Sequence, residues 1–212
     1  RNAMPRVKSS RNSPSKSPAP QGRAGVVRII SGQWKGRKLP VRDVDGLRPT
    51  TDRVKETIFN WLAPHVRGAR CLDLFAGSGG LGLEALSRYA EKVTLVEMDK
   101  GAADQLRKNL AALGSQQGEV IQADAVSWLQ GPATPFDLVF LDPPFRRELL
   151  PQVCELLEQR GWLAPDALIY LEREKEMSDL PLPASWQQLK DKQAGQVCYQ
   201  LYLRDTKDDA AV

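Results

Sequence analysis

From Arg70 onward the chain alternates short apolar runs with longer helical stretches, and this alternation restricts the fold more than any other feature. Strands are read at residues 71–74, 92–97, 119–122, 136–141 and 167–171, and helices at 81–89, 101–113, 125–129 and 147–160. In the second helix Ala103, Leu106, Leu110 and Leu113 share one face. Such a succession predicts an α/β fold, a doubly wound Rossmann-like sheet, mostly parallel. Residues 186–189 and 197–203 are aromatic-rich alternating runs, and residues 190–196 between them are too short for a helical crossover. They predict an antiparallel pair at the sheet's C-terminal edge.

Upstream of this sheet, residues 26–30, 32–36 and 37–41 read as strand, turn and return strand, an N-terminal β-hairpin extension. It carries Arg28, Lys35, Arg37 and Lys38, with Trp34 expected to be exposed; basic residues interleaved with an aromatic suit RNA, although a tryptophan packed on the body accounts equally well for Trp34. Thr51 or Asp52 caps a helix whose Val54, Ile58, Trp61 and Leu62 form a core face, with Arg53, Glu56 and Asn60 opposite. Spacing alone makes that polar stripe solvated. Pro64 and Gly68 are expected to end the helix, leaving His65, the sole histidine, in an exit loop without a catalytic role.

Charge divides the chain unevenly. Residues 1–42 hold eleven Lys and Arg and no acid, leaving 19 basic against 26 acidic residues beyond. That asymmetry suggests a polyanion-binding arm, because cations that neutralise phosphates release counterions. Residues 1–24 are Ser-, Pro-, Arg- and Lys-rich without apolar periodicity and are expected to be a disordered basic tail; residues 205–212 read as a polar tail. The intervening organisation is an extension over 25–64 and the sheet domain over 65–204. Arg1–Asn2–Ala3 ahead of Met4 reads as a vector-derived leader, with no apolar segment after it as secretion would require. No apolar run approaches the roughly 18 residues of a membrane span. Cys71, Cys154 and Cys198, odd in number and set in apolar stretches, suit reduced core thiols of a cytoplasmic protein better than disulfides or a metal site.

The loop from the first sheet strand to its helix, Asp73-Leu74-Phe75-Ala76-Gly77-Ser78-Gly79-Gly80-Leu81-Gly82, satisfies G-x-G-x-x-G as spelled, so a dinucleotide must be considered. Asp73 tips the choice, since its carboxylate would repel a pyrophosphate and attract a ligand's ammonium. That favours S-adenosylmethionine. Glu97, ending the second strand, can accept ribose hydroxyls, and Asp124, after the third, an adenine amine beside the helix start at Ala125. Phe75, Ala76, Ser78 and Met98 complete the expected cofactor site. Each carboxylate alone is as well explained as a cap, but acceptors at successive strand ends converge where open α/β sheets bind ligands.

After the fourth strand comes Asp142-Pro143-Pro144-Phe145. Two prolines fix φ and remove two N–H donors, so Asp142 and the nearby carbonyls point outward as acceptors beside the Phe145 ring. Such a set suits a planar ring bearing an exocyclic amine, held at its edge and stacked on its face. Asp142, Pro143 and Phe145 are the expected catalytic residues.

These loops resemble the class I methyltransferases that modify exocyclic amines. More narrowly, Arg28-Ile29-Ile30-Ser31-Gly32 with Gly36-Arg37, and Arg48-Pro49-Thr50-Thr51-Asp52-Arg53-Val54-Lys55-Glu56-Thr57-Ile58-Phe59-Asn60, are similar to the RsmD family of bacterial 16S rRNA guanine-N2 methyltransferases. The similarity spans about residues 26–204. It implies a SAM-dependent enzyme that methylates one guanine of 16S rRNA, within the assembled small ribosomal subunit; the protein is expected to act as a monomer without a metal or a membrane. It also implies that the Arg-Pro-Thr segment closes over the cofactor, adding Thr50 and Arg53 to the cofactor set. An N6-adenine methyltransferase, a non-catalytic RNA-binding assembly factor and, more distantly, an NAD oxidoreductase are the competing expectations.

Overall fold

A computed structural model of the chain describes residues 25–42, 50–144, 146–177 and 179–205. Phe145, the Arg48-Pro49 pair, the basic tail over 1–24 and all of the polar tail but Asp205 lie outside the described residues.

β1 (Val26–Arg28) and β2 (Lys38–Pro40) form the expected antiparallel hairpin, with Val27 opposite Leu39, the inward-facing residue of each. Helix α1 (Asp52–Val66) follows, capped by Thr51, whose side chain accepts from the Val54 N–H. It does not stop at Pro64. The helix carries Pro64 and His65 inside its last turn, because both are exposed while Val66 is buried and holds that turn to the core. The boundary expected at residue 64 therefore falls within a helix.

The sheet consists of β3 (Arg70–Asp73), β4 (Lys92–Glu97), β5 (Gly118–Gln122), β6 (Phe136–Leu141), β7 (Leu163–Glu174), β8 (Trp186–Ala194) and β9 (Val197–Arg204). Their order is β5-β4-β3-β6-β7-β9-β8, parallel from β5 to β7 and closed by the antiparallel β9 and β8. Strand order reverses on either side of β3, which opens a crevice at the carboxyl ends of β3, β4 and β6. Helices α2 (Gly80–Ser87), α3 (Lys100–Leu113), α4 (Ala125–Leu129) and α5 (Arg146–Gln159) make the crossovers.

Both faces of the sheet are covered, as near-continuous apolar strands require. One core joins Ile58, Phe59 and Leu62 of α1, Leu83 and Leu86 of α2 and Leu106 and Leu110 of α3 to Cys71, Leu95, Leu138, Phe140 and Tyr170. The other packs Leu129 of α4 and Leu150, Val153 and Leu157 of α5 against Leu72, Val139, Leu141 and Ile169. Cys71 and Cys154 are buried in these cores, and burial pushes the Cys154 thiol up to about 12 and that of Cys71 further, which keeps both protonated and unreactive at neutral pH.

Two strands are longer than expected. β7 starts at Leu163, four residues early, because its register with β6 jumps from Phe136–Leu163 to Leu138–Leu168 around Asp166, whose φ is 60°. β8 and β9 run to a tight turn at Gly195-Gln196, so the segment expected to join them is itself strand. Only Trp186 of β8 is buried, and an edge strand held by one ladder and lined with charge has no apolar alternation to read.

Candidate active site at the carboxyl edge of the sheet

Asp73 ends β3 with its side chain on the Cys71 face, 4% exposed, and its Oδ2 accepts a hydrogen bond from the Gly82 N–H at 3.0 Å. The loop between them turns back on itself: Ala76 N–H donates to Val96 O, Gly79 N–H to Ala76 O, and Gly77 and Gly79 take φ of 54° and 79°, a region that favours glycine. Gly79 is the N-cap of α2. Phe75 is half-buried against the second core, Ala76 and Gly77 are buried, and Ser78 is half-buried with its Oγ accepting from Gly80 N–H.

Glu97 ends β4 and anchors the same loop. Its Oε2 accepts from Gly77 N–H at 2.8 Å and its Oε1 from Asp99 N–H at 3.1 Å, so the carboxylate is held at the crevice by backbone donors. Beside it Met98 is 68% exposed, an apolar side chain left on the surface at a strand end. Asp124 is exposed and caps α4, its Oδ2 accepting from Ser127 N–H at 3.0 Å, with Ala125 buried behind it. Capping and ligand contact are compatible, because a carboxylate has about four acceptor positions.

Asp142 is half-buried and Pro143 buried immediately after β6, and Asp73 is paired in register with Phe140 two residues before Asp142. The structure thus brings Asp73, Glu97 and Asp142 to one crevice. Burial raises the Asp73 carboxyl to about 7; the Gly82 hydrogen bond opposes that shift, while Asp142 and then Glu97 add to it. Among the described residues, the charged groups acting on Asp73 are acids. A buried carboxylate among acids is costly unless a cation joins it. The site fits a ligand that brings positive charge, as the ammonium and sulfonium of S-adenosylmethionine do, and would reject a pyrophosphate.

Thr50 is half-buried and Arg53 exposed at the start of α1; Glu56 and Asn60 on the same stripe are exposed too, as spacing suggested. In the hairpin Arg28, Lys35, Arg37 and Lys38 are exposed. Trp34 is not: it is half-buried and packed on the first core, its backbone N–H donating to Ser87 Oγ. The tertiary contact, invisible to a hairpin pattern, removes it from the exposed set.

Sequence reasoning missed a buried charge cluster beneath the hairpin. Glu84 of α2, fully buried, accepts from Ile30 N–H at 2.8 Å, Ser31 N–H at 3.1 Å and Arg88 Nε at 2.9 Å, and pairs with Lys55 of α1. Lys55 Nζ in turn donates to Arg28 O. The readable signal was a single charge inside each otherwise apolar helix face, Lys55 beside Ile58 and Phe59, and Glu84 between Leu83 and Leu86.

Residues 27–203 match the family described as Conserved hypothetical protein 95. Ribosomal RNA small subunit methyltransferase D of Escherichia coli (strain K12) is 56% identical over 187 residues, 88% of this chain and 94% of the relative. The protein of the same name from Haemophilus influenzae is 54% identical over 84% and 94% of the two chains. A solved structure of the Escherichia coli protein yhhF superposes with a TM-score of 0.82 at 55% identity, covering 86% of this chain and all of that one.

Proposed function

The chain belongs to the family described as Conserved hypothetical protein 95, in company with the small subunit rRNA methyltransferases D, and on that premise we propose that it moves a methyl group from S-adenosylmethionine to the N2 amine of one guanine in small-subunit ribosomal RNA. The observation that carries this reading is the convergence of Asp73, Glu97 and the Asp142-Pro143 turn on one crevice at the point where strand order reverses. The relatives' names supply the RNA; the acceptor chemistry asks for an exocyclic amine, and the family resemblance supplies guanine N2.

S-adenosylmethionine, when bound, supplies an electrophilic methyl on a sulfonium. Asp73 receives the ammonium of its amino-acid end, Glu97 its ribose hydroxyls, and Asp124 with the start of α4 the adenine edge, with Met98, Phe75 and Ala76 as apolar neighbours. Thr50 and Arg53 close over it from the start of α1. Asp142 and the Pro143 carbonyl accept from the target N2 amine, and Phe145 stacks on the flipped base. An aryl amine is a weak nucleophile because its lone pair is delocalised into the ring. Acceptors set out of the ring plane favour a pyramidal nitrogen whose lone pair would face the methyl, and fixed alignment adds the proximity contribution; as the C–N bond forms the C–S bond breaks, S-adenosylhomocysteine leaves, and the surplus N2 proton passes to solvent. The hairpin, with exposed Arg28, Lys35, Arg37 and Lys38, contacts RNA phosphates, and the enzyme works as a cytoplasmic monomer on the assembled small subunit.

The test is incubation with radiolabelled S-adenosylmethionine and small subunits lacking native methylation, followed by nucleoside analysis. Label in N2-methylguanosine is the expected result. Label in N6-methyladenosine would overturn the base, and no label despite S-adenosylhomocysteine binding would favour a non-catalytic assembly factor.

A further inference from the structure

Asp142 and the Pro143 carbonyl cannot by themselves choose between purines, because guanine and adenine both offer an exocyclic amine. What distinguishes them is the neighbouring ring position: guanine N1 carries a hydrogen, adenine N1 a lone pair. A guanine-specific site needs a second acceptor beside the first.

The sheet places one there. β6 and β7 are parallel and in register at Phe140–Tyr170 and Leu141–Leu171, where β6 ends; carried one residue further, that register sets Asp142 beside Glu172 at the carboxyl edge. Neighbouring strands are about 4.8 Å apart. Alternation along the strands puts Glu172 on the face of Tyr170 and Asp142 on that of Phe140, the same face as Asp73. Glu172 is 6% exposed, and the phenol of the fully buried Tyr170 donates to its Oε1 at 2.8 Å, fixing the carboxylate from the core side. Tyr199 of β9 lies opposite Glu172 on the other flank. The Tyr170 hydroxyl is pushed well up, by burial first and by Glu172 next, and it also feels Asp142, in keeping with both carboxylates facing one space.

We infer that Glu172 selects guanine by accepting the base N1–H while Asp142 holds the adjacent N2 amine. The inference rests on the guanine reading above. Two acidic acceptors on adjacent strands match the two donors at guanine's edge and oppose the lone pair at adenine N1. A carboxylate has about four acceptor positions, so the Tyr170 bond and a bond from the base N1–H are compatible. A site built to bond a substrate N–H rejects the analogue lacking it by about ten-thousand-fold.

The experiment uses small subunits reconstituted with rRNA that carries either guanosine or 2-aminopurine riboside at the target position, once mapped. 2-Aminopurine keeps the exocyclic amine and exchanges N1–H for an acceptor. Methyl transfer is compared for the wild type, Glu172→Gln and Glu172→Ala, with S-adenosylhomocysteine affinity as control. The wild type should prefer guanosine by at least about a thousand-fold. Glu172→Gln should lose about tenfold on guanosine, since its neutral amide oxygen accepts from N1–H more weakly than a carboxylate, and gain on 2-aminopurine, because its amide can turn and donate to N1, while S-adenosylhomocysteine binds unchanged. Should that variant fail to fold, Glu172→Ala must still compress the preference toward unity. A merely structural role would slow both substrates alike, and an unchanged ratio, or a wild-type rate in either variant, overturns the inference alone. Wild-type label outside guanosine N2 overturns the guanine reading itself, which separates the two failures.

Discussion

The Lys55 ammonium lies 3.5 Å from the Glu84 carboxylate, with the two side chains 3% and 0% exposed. This pair joins α1, the hairpin and α2, because Lys55 also bonds Arg28 O and Glu84 also takes the Ile30 and Ser31 N–H groups. Burial lowers the Lys55 pKa, and Glu84 is the main opposing influence.

The two partners should not be equally costly to remove. Glu84→Leu strands two half-buried N–H groups and the buried ammonium together, and should destabilise the protein by about 3–5 kcal/mol. Lys55→Met leaves Glu84 with Arg88 and both N–H donors, so its loss should be smaller by at least about 1 kcal/mol. Urea unfolding of the two variants at neutral pH measures the ranking, and equal losses would mean that Arg88 does not compensate.

Asp73 predicts a pH-dependent affinity. Its carboxyl, raised to about 7 chiefly by burial, must ionise to receive an ammonium. S-adenosylhomocysteine binding should therefore weaken about tenfold per pH unit below 7 and level off above it. The stability of the free protein should run the other way. A carboxyl whose folded pKa exceeds its unfolded value contributes stability that is complete below about pH 4 and is lost as pH rises through about 7. Calorimetric titration with S-adenosylhomocysteine from pH 5 to 8.5 and urea unfolding of the free protein from pH 4 to 8, each repeated on Asp73→Asn, check the two; a pH-independent wild-type affinity would remove Asp73 from the ammonium site.

Asp142 is expected to separate chemistry from cofactor binding. Asp142→Ala should lower methyl transfer by about a thousand-fold or more, with S-adenosylhomocysteine affinity within about threefold of wild type. Comparable losses in both would make Asp142 a cofactor-binding residue instead.

Gly32 sits at φ 88° against α2, where an added Cβ would lie 2.0 Å from Ser87 O. Gly32→Ala must displace the Gln33 N–H to Ser87 O and Trp34 N–H to Ser87 Oγ bonds that dock the hairpin. Its KM for small subunits should rise by about tenfold or more, while S-adenosylhomocysteine affinity changes little. An unchanged KM would show that hairpin placement does not matter to RNA recognition.

Lys35 and Lys38 are exposed, whereas Arg37, also exposed, spends one N–H on Ala112 O. Replacing both lysines by Ala should weaken RNA binding evenly across sequences and reduce the slope of log affinity against log salt by about 1.5. A slope unchanged from wild type would place the RNA elsewhere.

Legibility in the sequence followed burial. β4 and β6 have the bounds read from the chain because both faces of each are buried and their apolar runs end sharply. β8 was under-read because its ladder, not an apolar face, keeps it a strand. The acids at strand ends, Asp73 and Glu97 closing β3 and β4 and Asp142 following β6, were readable as site candidates, since a carboxylate at the carboxyl end of a parallel strand can face only the crevice or a neighbouring turn.

The order of strands and helices, the position of the glycine loop and the acidic strand ends were thus determined by the chain itself, because each depends on neighbours within about ten residues. Tertiary structure alone decided that Trp34 turns inward, that α1 continues past Pro64, that Lys55 meets Glu84, and that Leu171, just before Glu172, pairs with Leu141, just before Asp142. Those outcomes arise where segments distant in sequence bury one another's polar groups. No local pattern records the partner that makes such burial tolerable.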